Sequence, residues 1–352
     1  MSDIKTRAVD LNYDVYHFED SFRKYEDVPS TCIRESNALK PTFSIFIPTY
    51  NRPTTLKITI DSAIKQLDYY LPYEIIIVSN DPNSVNDDNA TNKLVSSYKE
   101  KNISFYVNMK NLGLCGSWNR GTELAKGEYI VMIHDDDLLG PYLLSVLSKV
   151  VSEKPDVGMI GCGHIDFSGD PPVFTKPKAI HYREVTKKSF FFGLYITIAG
   201  MTYKKKLVEE IGGFNEKYYP NEDTNLIYQA LLKSNVINLD EILTGYRKEV
   251  NLSLSGNTMQ NIITHIEKLR RNIAEHEDFA KKWLDSYDRD FLIQYANGAK
   301  KNWNIGVDTD QILSSFGMEK GSDSYNIPLS MKVKEKLYTK KYLATSRRTI
   351  KL

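Results

Sequence analysis

Residues 127–141, GEYIVMIHDDDLLGP, place a short apolar run directly before three consecutive carboxylates. The run Tyr129–Ile133 is rich in Ile, Val and Tyr, which is typical of an interior strand in a sheet that helices cover on both faces. Adjacent carboxylates such as Asp135–Asp137 repel one another unless a cation lies between them, so the pattern favours a Mg²⁺ or Mn²⁺ site. The alternative interpretation is an acidic loop in solvent that also starts the next helix.

Length and composition exclude several classes of protein. With 352 residues the chain can bury a large core, in one large domain or two. The formal net charge is +1, so no global field indicates a nucleic acid or an acidic partner. Cys32, Cys115 and Cys162 have no CxxC spacing, which argues against a disulfide framework or a zinc site. We expect a cytoplasmic protein, because neither a signal peptide nor a membrane-spanning run is visible.

Apolar runs and helical patterns alternate along the first half of the chain. Strands are predicted at 43–47, 73–79, 103–107, 129–133 and 157–167. Helical spacing of apolar residues follows most of them, as in 56–67 and 143–151. This alternation predicts an α/β fold with a mostly parallel twisted sheet flanked by helices. In such sheets ligands bind at the carboxyl ends of the strands, where the three aspartates lie.

We divide the chain into three regions. They are a polar N-terminal arm (1–40), an α/β domain (41–256) and a helical C-terminal extension (257–352). Apolar residues between Ile262 and Trp283 repeat with heptad spacing, which indicates packing against the main domain or, less commonly, a homodimer seam. The tail 331–352 carries eight Lys or Arg against one Glu, either as a solvated end or as a contact with an anionic membrane surface.

Four segments together resemble family 2 of the nucleotide-sugar-dependent glycosyltransferases, which have the GT-A fold. They are FSIFIPTYNRP (43–53), YEIIIVSNDP (73–82), NLGLCGSWNRGTELAKGEYIVMIHDDD (111–137) and IGGFNEKYYPNEDTNLIYQAL (211–231). The resemblance covers roughly residues 41–250, and the motifs occur in the order and spacing of the family. It implies a Rossmann-like nucleotide-binding half, a divalent Mn²⁺ or Mg²⁺ ion and an inverting sugar transfer.

The resemblance also assigns the metal ligands. Counting back from Pro141 puts Asp136 at the position of the metal-binding carboxylate, with Asp135 next and Asp137 last. Two positions depart from the family pattern. His134 stands where many members begin the metal motif with Asp, and the second strand ends in Ser-Asn at 79–80 rather than in two acidic residues.

The donor nucleotide is expected at the ends of the first strands. By resemblance, the residues that contact it are Pro48, Thr49, Tyr50, Arg52, Asn80, Asp81, Asn119, Asp135 and Arg247. The Tyr50 ring is suited to stacking on a base, and Asn80 to reading the base or ribose. The bland alternatives are a strand-end turn at Asn80, a bond from Asn119 to its own loop, and a surface position for Arg52.

Glu222 and Asp223 are the expected catalytic residues. The resemblance makes Asp223 the general base that accepts the proton of the acceptor hydroxyl. Because a helix N-terminus stabilises an anion, we expect the pKa of Asp223 to stay low. The alternative is a simple helix-start signal, since Asn-Glu-Asp before an apolar run is common at that place.

The sequence therefore predicts a metal-dependent inverting glycosyltransferase. The expected donor is a nucleotide sugar, with a UDP-sugar as the first choice, and the acceptor is a hydroxyl of a glycan or lipid-linked glycan in bacterial surface or capsular polysaccharide synthesis. A non-processive enzyme is expected, because the QxxRW signature is missing. Two alternatives are an inactive glycan-binding or assembly subunit and a sugar nucleotidyltransferase. The second is disfavoured because IPTYNRP replaces a Gly-rich loop after the first strand.

Overall fold

The computed structural model describes residues 13–193, 196–249, 255–318 and 329–351. Its strands are β1 (Ser30–Arg34), β2 (Phe43–Thr49), β3 (Tyr73–Ser79), β4 (Ile103–Asn108), β5 (Tyr129–Met132), β6 (Leu138–Leu139), β7 (Val157–Phe167), β8 (Ala179–Val185), β9 (Met201–Lys204), β10 (Asn235–Arg247) and β11 (Arg347–Lys351). Its helices are α1 (Pro53–Ile64), α2 (Ala90–Ser97), α3 (Gly113–Leu124), α4 (Leu143–Glu153), α5 (Lys187–Phe191), α6 (Lys205–Glu210), α7 (Glu222–Leu231), α8 (Gly256–His276), α9 (Asp278–Trp303), α10 (Thr309–Ser315) and α11 (Leu329–Thr345).

One sheet runs through the domain in the order β1-β4-β3-β2-β5-β9-β7-β10-β8-β11, and β6 pairs with β10. The neighbours β4, β3, β2 and β5 are parallel, as predicted. Beyond β5 the sheet is mixed, because β9 is antiparallel to both β5 and β7. The expectation of a mostly parallel sheet therefore holds for β4, β3, β2 and β5 and for the pair of β7 and β10, whereas the remaining pairs are antiparallel. Among the missed strands, β9 (MTYK) is short and β1 (STCIR) is largely exposed. β10 is long and mostly buried, but Asn238, Asp240 and Glu241 interrupt its apolar residues.

Helices cover both faces of the sheet. Successive side chains of a strand point to opposite faces, so Ile45 and Phe46 of β2 enter different cores. Ile45 packs in the cluster that contains Leu56 of α1. Phe46 packs in the cluster that contains Trp118 of α3 and Ile227 of α7. The predicted α/β architecture is confirmed, and it places the helices α3 and α7 on the same face.

Gly121 of α3 lies against the ring of Phe46. A Cβ at this position would come within 2.2 Å of the ring. We expect Gly121→Ala to lower the free energy of unfolding by about 1–3 kcal/mol, because a close-packed core must shift to admit the methyl group. Gly298→Ala in α9 is the matched control, since nothing lies within 4 Å of its Cβ position. It is expected to raise the free energy of unfolding by about 0.5–1 kcal/mol. Urea unfolding measures both, and an unchanged Gly121→Ala would contradict the packing.

The described part of the N-terminal arm lies on the domain. Val15 is fully buried in the cluster that contains Trp118. Ser30–Arg34 then extends the sheet as β1, antiparallel to β4. The arm thus contributes both a buried side chain and an edge strand.

The C-terminal extension is mainly helical. The heptad stripe is divided between two helices, because α8 ends at His276 and α9 begins at Asp278. Leu269, Ile273 and Ala280 of this stripe are buried in the cluster that contains Trp118. This is the packing interpretation of the stripe, and the homodimer seam stays a prediction. The extension also supplies β11, an exposed edge strand paired with β8 that the sequence analysis did not predict.

Among the described helices, none combines the length and the apolar composition needed to cross a membrane.

Candidate active site

The three aspartates follow β5 in a turn beside the end of β2. Ile133 N still donates to Phe46 O at 3.0 Å, and the chain then leaves the sheet. Thr49 Oγ1, at the end of β2, donates to Asp135 Oδ2 at 2.7 Å. Asp135 and Asp137 are only 6% and 1% exposed. The interpretation of this segment as an acidic loop in solvent is therefore wrong.

Arg52 binds two of these carboxylates. Its Nη1 donates to Asp136 Oδ2 at 2.9 Å and lies 3.5 Å from Asp135 Oδ1. Arg52 ends the loop between β2 and α1, so the loop that was predicted to hold a nucleotide is tied to the aspartates. Only Nη1 of the guanidinium makes these contacts, and the contact of Arg52 with a phosphate stays a prediction.

Arg247 donates hydrogen bonds to two residues of the aspartate turn. It is the last residue of β10 and is 7% exposed. Its backbone N donates to Asp137 Oδ1 at 2.9 Å, and its Nε donates to the Asp136 carbonyl oxygen at 2.9 Å. Nη1 pairs with Glu249, and the guanidinium lies 4.5 Å from the ring centre of Phe167. These contacts tie Arg247 to the aspartate turn, and its predicted contact with the nucleotide stays a prediction.

His134 joins Asp136 and Asp137 in a compact donor set. One ligand atom from each of these residues lies within 4.8 Å of the others. The imidazole stacks on Trp118 with the ring centres 5.8 Å apart, and His134 Nδ1 is 3.5 Å from Asp137 Oδ2. This set contains Asp136, which was predicted as the first metal ligand. It contains Asp137 rather than Asp135, which was predicted as the second. The missed signal was the turn itself, in which Asp137 N donates to His134 O at 3.2 Å.

The electrostatics of this cluster fit a divalent cation. Burial raises the pKa of both Asp135 and Asp136, against the lowering effect of Arg52. Burial lowers the pKa of His134, but its contact with Asp137 and the charges of all three aspartates outweigh this and raise it to about 9. Asp137 Oδ2 is buried without a hydrogen-bond partner. A carboxylate oxygen in that state is a ready ligand, and the two carboxylates suit Mn²⁺ or Mg²⁺, whereas an imidazole is a ligand that softer divalent metals prefer.

Glu222 and Asp223 open α7 near the cluster. Glu222 is 3% exposed and its Oε2 has no hydrogen-bond partner, whereas Asp223 is partly exposed. Burial raises the pKa of both carboxyls, and the nearby charge of His134 lowers them again in part. The prediction of a low pKa for Asp223 is therefore wrong. A helix N-terminus is worth only about 0.3–1 kcal/mol to an anion, which is less than the cost of desolvating two adjacent carboxylates.

Long-range hydrogen bonds hold the start of α7. Asn221 Nδ2 donates to Ile262 O of α8 at 2.8 Å. Asn225 Nδ2 donates to Asn221 O, and Tyr13 OH of the arm donates to Asn225 Oδ1 at 2.6 Å. The arm and the C-terminal extension thus fix the two acidic residues. The sequence analysis missed these contacts, because no local pattern joins Tyr13 to Asn225.

The raised pKa values predict a pH-dependent stability. Folding favours the protonated forms of Glu222 and Asp223, so the stability that they contribute is present below about pH 4 and is lost as the pH rises through the raised values. We expect Glu222→Gln to flatten this decline, as measured by urea unfolding at a series of pH values with EDTA present. Glu26→Gln, at an exposed position, is the control. Equal slopes for wild type and Glu222→Gln would contradict the prediction.

Asn80 and Asp81 organise the loop after β3. Asn80 Nδ2 donates to Asn111 Oδ1 at 2.8 Å and to Gly113 O at 3.1 Å. Its Oδ1 accepts from Leu112 N at 3.0 Å, and Asp81 caps the short 3₁₀ turn that follows. The side chain of Asn80 thus stabilises the loop, and its predicted contact with the base or ribose stays a prediction.

Asn119 and Tyr50, two other predicted nucleotide contacts, differ in exposure to solvent. The amide of Asn119 is bonded in both directions to the backbone of Phe214, at 2.9 and 2.8 Å, and is 4% exposed. Tyr50 is 54% exposed at the end of β2, next to Pro48 in the strand. Tyr50 is thus free to stack on a ligand, whereas Asn119 joins α3 to the segment before α7.

The chain is similar to known glycosyltransferases in sequence and in structure. The family model described as glycosyl transferase family 2 matches residues 44–212. An uncharacterised glycosyltransferase of Rickettsia typhi is 31% identical over 244 residues, which are 67% of this chain and 72% of that protein. The GalNAc(5)-diNAcBac-PP-undecaprenol beta-1,3-glucosyltransferase of Campylobacter jejuni is 25% identical over 260 residues, which are 70% of this chain and 81% of that protein.

Two solved structures share the fold. TarS of S. aureus in complex with UDP has a TM-score of 0.53 at 19% identity, with 75% of this chain and 74% of that chain covered. The mannosyltransferase PcManGT of Pyrobaculum calidifontis, in complex with GDP-Man and Mn²⁺, has a TM-score of 0.50 at 13% identity, with 91% and 92% covered. The chain belongs to glycosyl transferase family 2, and it is a glycosyltransferase with the GT-A fold.

Proposed function

We propose that the protein is a metal-dependent inverting glycosyltransferase that moves a sugar from a nucleotide sugar to a hydroxyl group. The observation that carries this proposal is the convergence of two acidic groups on His134. The ligand atoms of His134, Asp136 and Asp137 lie within 4.8 Å of one another. Glu222 and Asp223 are near enough for the charge of His134 to lower the pKa of both.

His134, Asp136 and Asp137 would hold the metal ion. The buried Asp137 Oδ2, which has no hydrogen-bond partner, supports this set, as do three adjacent carboxylates that exceed the nearby cations Arg52 and protonated His134. A bound divalent cation supplies positive charge against a diphosphate leaving group. Arg52 would then be released from Asp136 and become available to the donor. The Mn²⁺ in the PcManGT complex is consistent with this ion.

The donor would lie along the end of β2. The exposed Tyr50 ring offers a stacking surface for a base, and Thr49 fixes Asp135 beside it. UDP is our first choice, supported by the TarS complex with UDP. The PcManGT complex with GDP-Man makes a guanine nucleotide the second candidate.

Asp223 would act as the general base. The proton of the acceptor hydroxyl passes to its carboxylate as the acceptor oxygen forms a bond to the anomeric carbon. The bond from that carbon to the phosphate oxygen breaks, and the nucleoside diphosphate leaves with the electron pair. A raised pKa improves Asp223 as a proton acceptor compared with an ordinary aspartate. Attack from the face opposite the leaving group inverts the configuration.

The acceptor would be a glycan or lipid-linked glycan, in bacterial surface or capsular polysaccharide synthesis. The Campylobacter relative, whose name describes an undecaprenol-linked acceptor, supports this class. The setting rests on analogy with relatives alone.

The test measures donor and metal together. UDP and GDP are titrated calorimetrically with and without Mn²⁺, and a panel of nucleotide sugars is assayed for metal-dependent hydrolysis, in which water serves as a poor acceptor. A transferase should bind its nucleotide far more tightly with Mn²⁺ and should hydrolyse one donor. Glycan binding without any coupling between nucleotide and metal would instead identify a binding subunit and overturn the proposal.

A further inference from the structure

The helix α11 presents a basic and partly apolar face to solvent. Lys336, Lys340 and Lys341 are exposed on it. Leu337 and Leu343 lie among them and are 58% and 43% exposed. At 100° per residue these five side chains occupy one side of the helix. Lysines and large apolar side chains on one face of a helix form the mixed surface that is typical of interfacial helices.

The opposite side of α11 attaches it to the protein. The ring centre of Tyr338 is 5.0 Å from that of Phe192, and Lys188 Nζ is 4.8 Å from the same tyrosine ring. One turn later, Tyr342 OH donates to Glu184 O at 2.6 Å. The two tyrosines therefore fix which face packs and which face is left outside.

The positive charge of this face is not neutralised locally. Lys336, Lys340 and Lys341 have no ion-pair partner within the described ranges. Lysines on other helices do have one, as Lys57 of α1 does with Asp61 at 2.7 Å. The tail 331–352 has eight basic residues and one acidic residue, an excess of 7, whereas the whole chain has a net charge of +1. The remainder of the chain is thus at −6 (1 − 7), so the tail carries the chain's excess of positive charge.

We propose that this outer face of α11 binds a bilayer that contains anionic phospholipids. The lysines contact the headgroups, and Leu337 and Leu343 enter the boundary between headgroups and acyl chains. The exposed leucines favour a bilayer over a nucleic acid, because a phosphate backbone offers lysines a partner but gives leucines none. The binding surface is independent of the donor, the metal and the base proposed above.

Co-sedimentation with vesicles tests the charges. We expect the full chain to bind vesicles of phosphatidylcholine with phosphatidylglycerol, and to bind phosphatidylcholine alone far more weakly. Lys340→Glu/Lys341→Glu should weaken partitioning by about thirtyfold or more, since each lysine near an anionic surface contributes roughly a fivefold factor. Lys93→Glu/Lys101→Glu is the matched control, with the same charge change at exposed lysines near β4, far from β8 in the strand order. It should keep wild-type binding.

A second variant tests the apolar contribution. Leu337→Ser/Leu343→Ser keeps every charge and should weaken binding by about tenfold or more, with the remaining binding abolished by high salt. Circular dichroism checks that both surface variants stay folded. Equal binding to both kinds of vesicle would overturn the proposal, as would full binding by the lysine variant. Binding to a single-stranded oligonucleotide in preference to anionic vesicles would also overturn it.

Discussion

Asp223→Asn is expected to lower the turnover of the transferase by about a hundredfold to ten-thousandfold, with donor binding retained. The asparagine keeps the shape of the side chain but cannot accept the acceptor proton. Because Asp223 is partly exposed whereas Glu222 is buried, Asp223 is the carboxylate that an acceptor can reach. Steady-state kinetics on the hydrolysed donor, with titration of the nucleotide, measure the two effects separately.

The control for this variant is Asp278→Asn. It makes the same substitution in the first turn of another helix, α9, at an exposed position. Its turnover should stay at the wild-type value. Glu222→Gln distinguishes the two carboxylates, since a larger loss there than in Asp223→Asn would make Glu222 the base.

The pH profile gives an independent check of the same residue. A general base must be deprotonated, so the rate should rise with pH through the pKa of Asp223. Burial raises this pKa, which places the acid limb above the value of about 3.9 for an ordinary aspartate. A profile that is flat down to pH 4 would contradict the assignment.

Asp136→Ala is expected to remove the coupling between nucleotide and metal, with Mn²⁺ affinity lowered by at least about a hundredfold. Loss of an outer-shell partner of a metal typically costs ten- to a hundredfold, and loss of a ligand should cost more. Electron paramagnetic resonance of free Mn²⁺ measures the affinity without requiring activity. Asp27→Ala, at an exposed aspartate before β1, should bind Mn²⁺ as the wild type does.

The same measurement of Mn²⁺ affinity tests whether Asp135 or Asp137 is the second carboxylate ligand. The resemblance placed Asp135 second, but in the structure Asp135 is bonded to Thr49 and Arg52 while Asp137 Oδ2 has no hydrogen-bond partner. We therefore expect Asp137→Asn to weaken Mn²⁺ binding more than Asp135→Asn does. The reverse order would support the resemblance against the geometry.

Local patterns were sufficient for the nucleotide-binding half of the fold. β3 and β7 have the bounds that were predicted, and α1 begins at Pro53 as its position before an apolar stripe indicated. Strands buried on both faces are apolar throughout, so they can be recognised from the sequence. The exposed edge strands β1 and β11 carry no such run, and their pairing with β4 and β8 is decided by long-range contacts.

By itself the sequence indicated the family, the positions of the apolar strands in the first half of the chain and the place of Asp136 after β5. These follow from apolar runs and from motif spacing, which are properties of neighbouring residues. Only the tertiary structure brought His134 and Asp137 together with Asp136, joined Arg247 and Asn119 to backbone groups of distant segments, and showed that burial, against the effect of the helix terminus, raises the pKa of Asp223. Burial and ligand geometry depend on which distant segments meet. At α7 those segments are the arm that carries Tyr13 and the helix α8, and no local pattern encodes their contact.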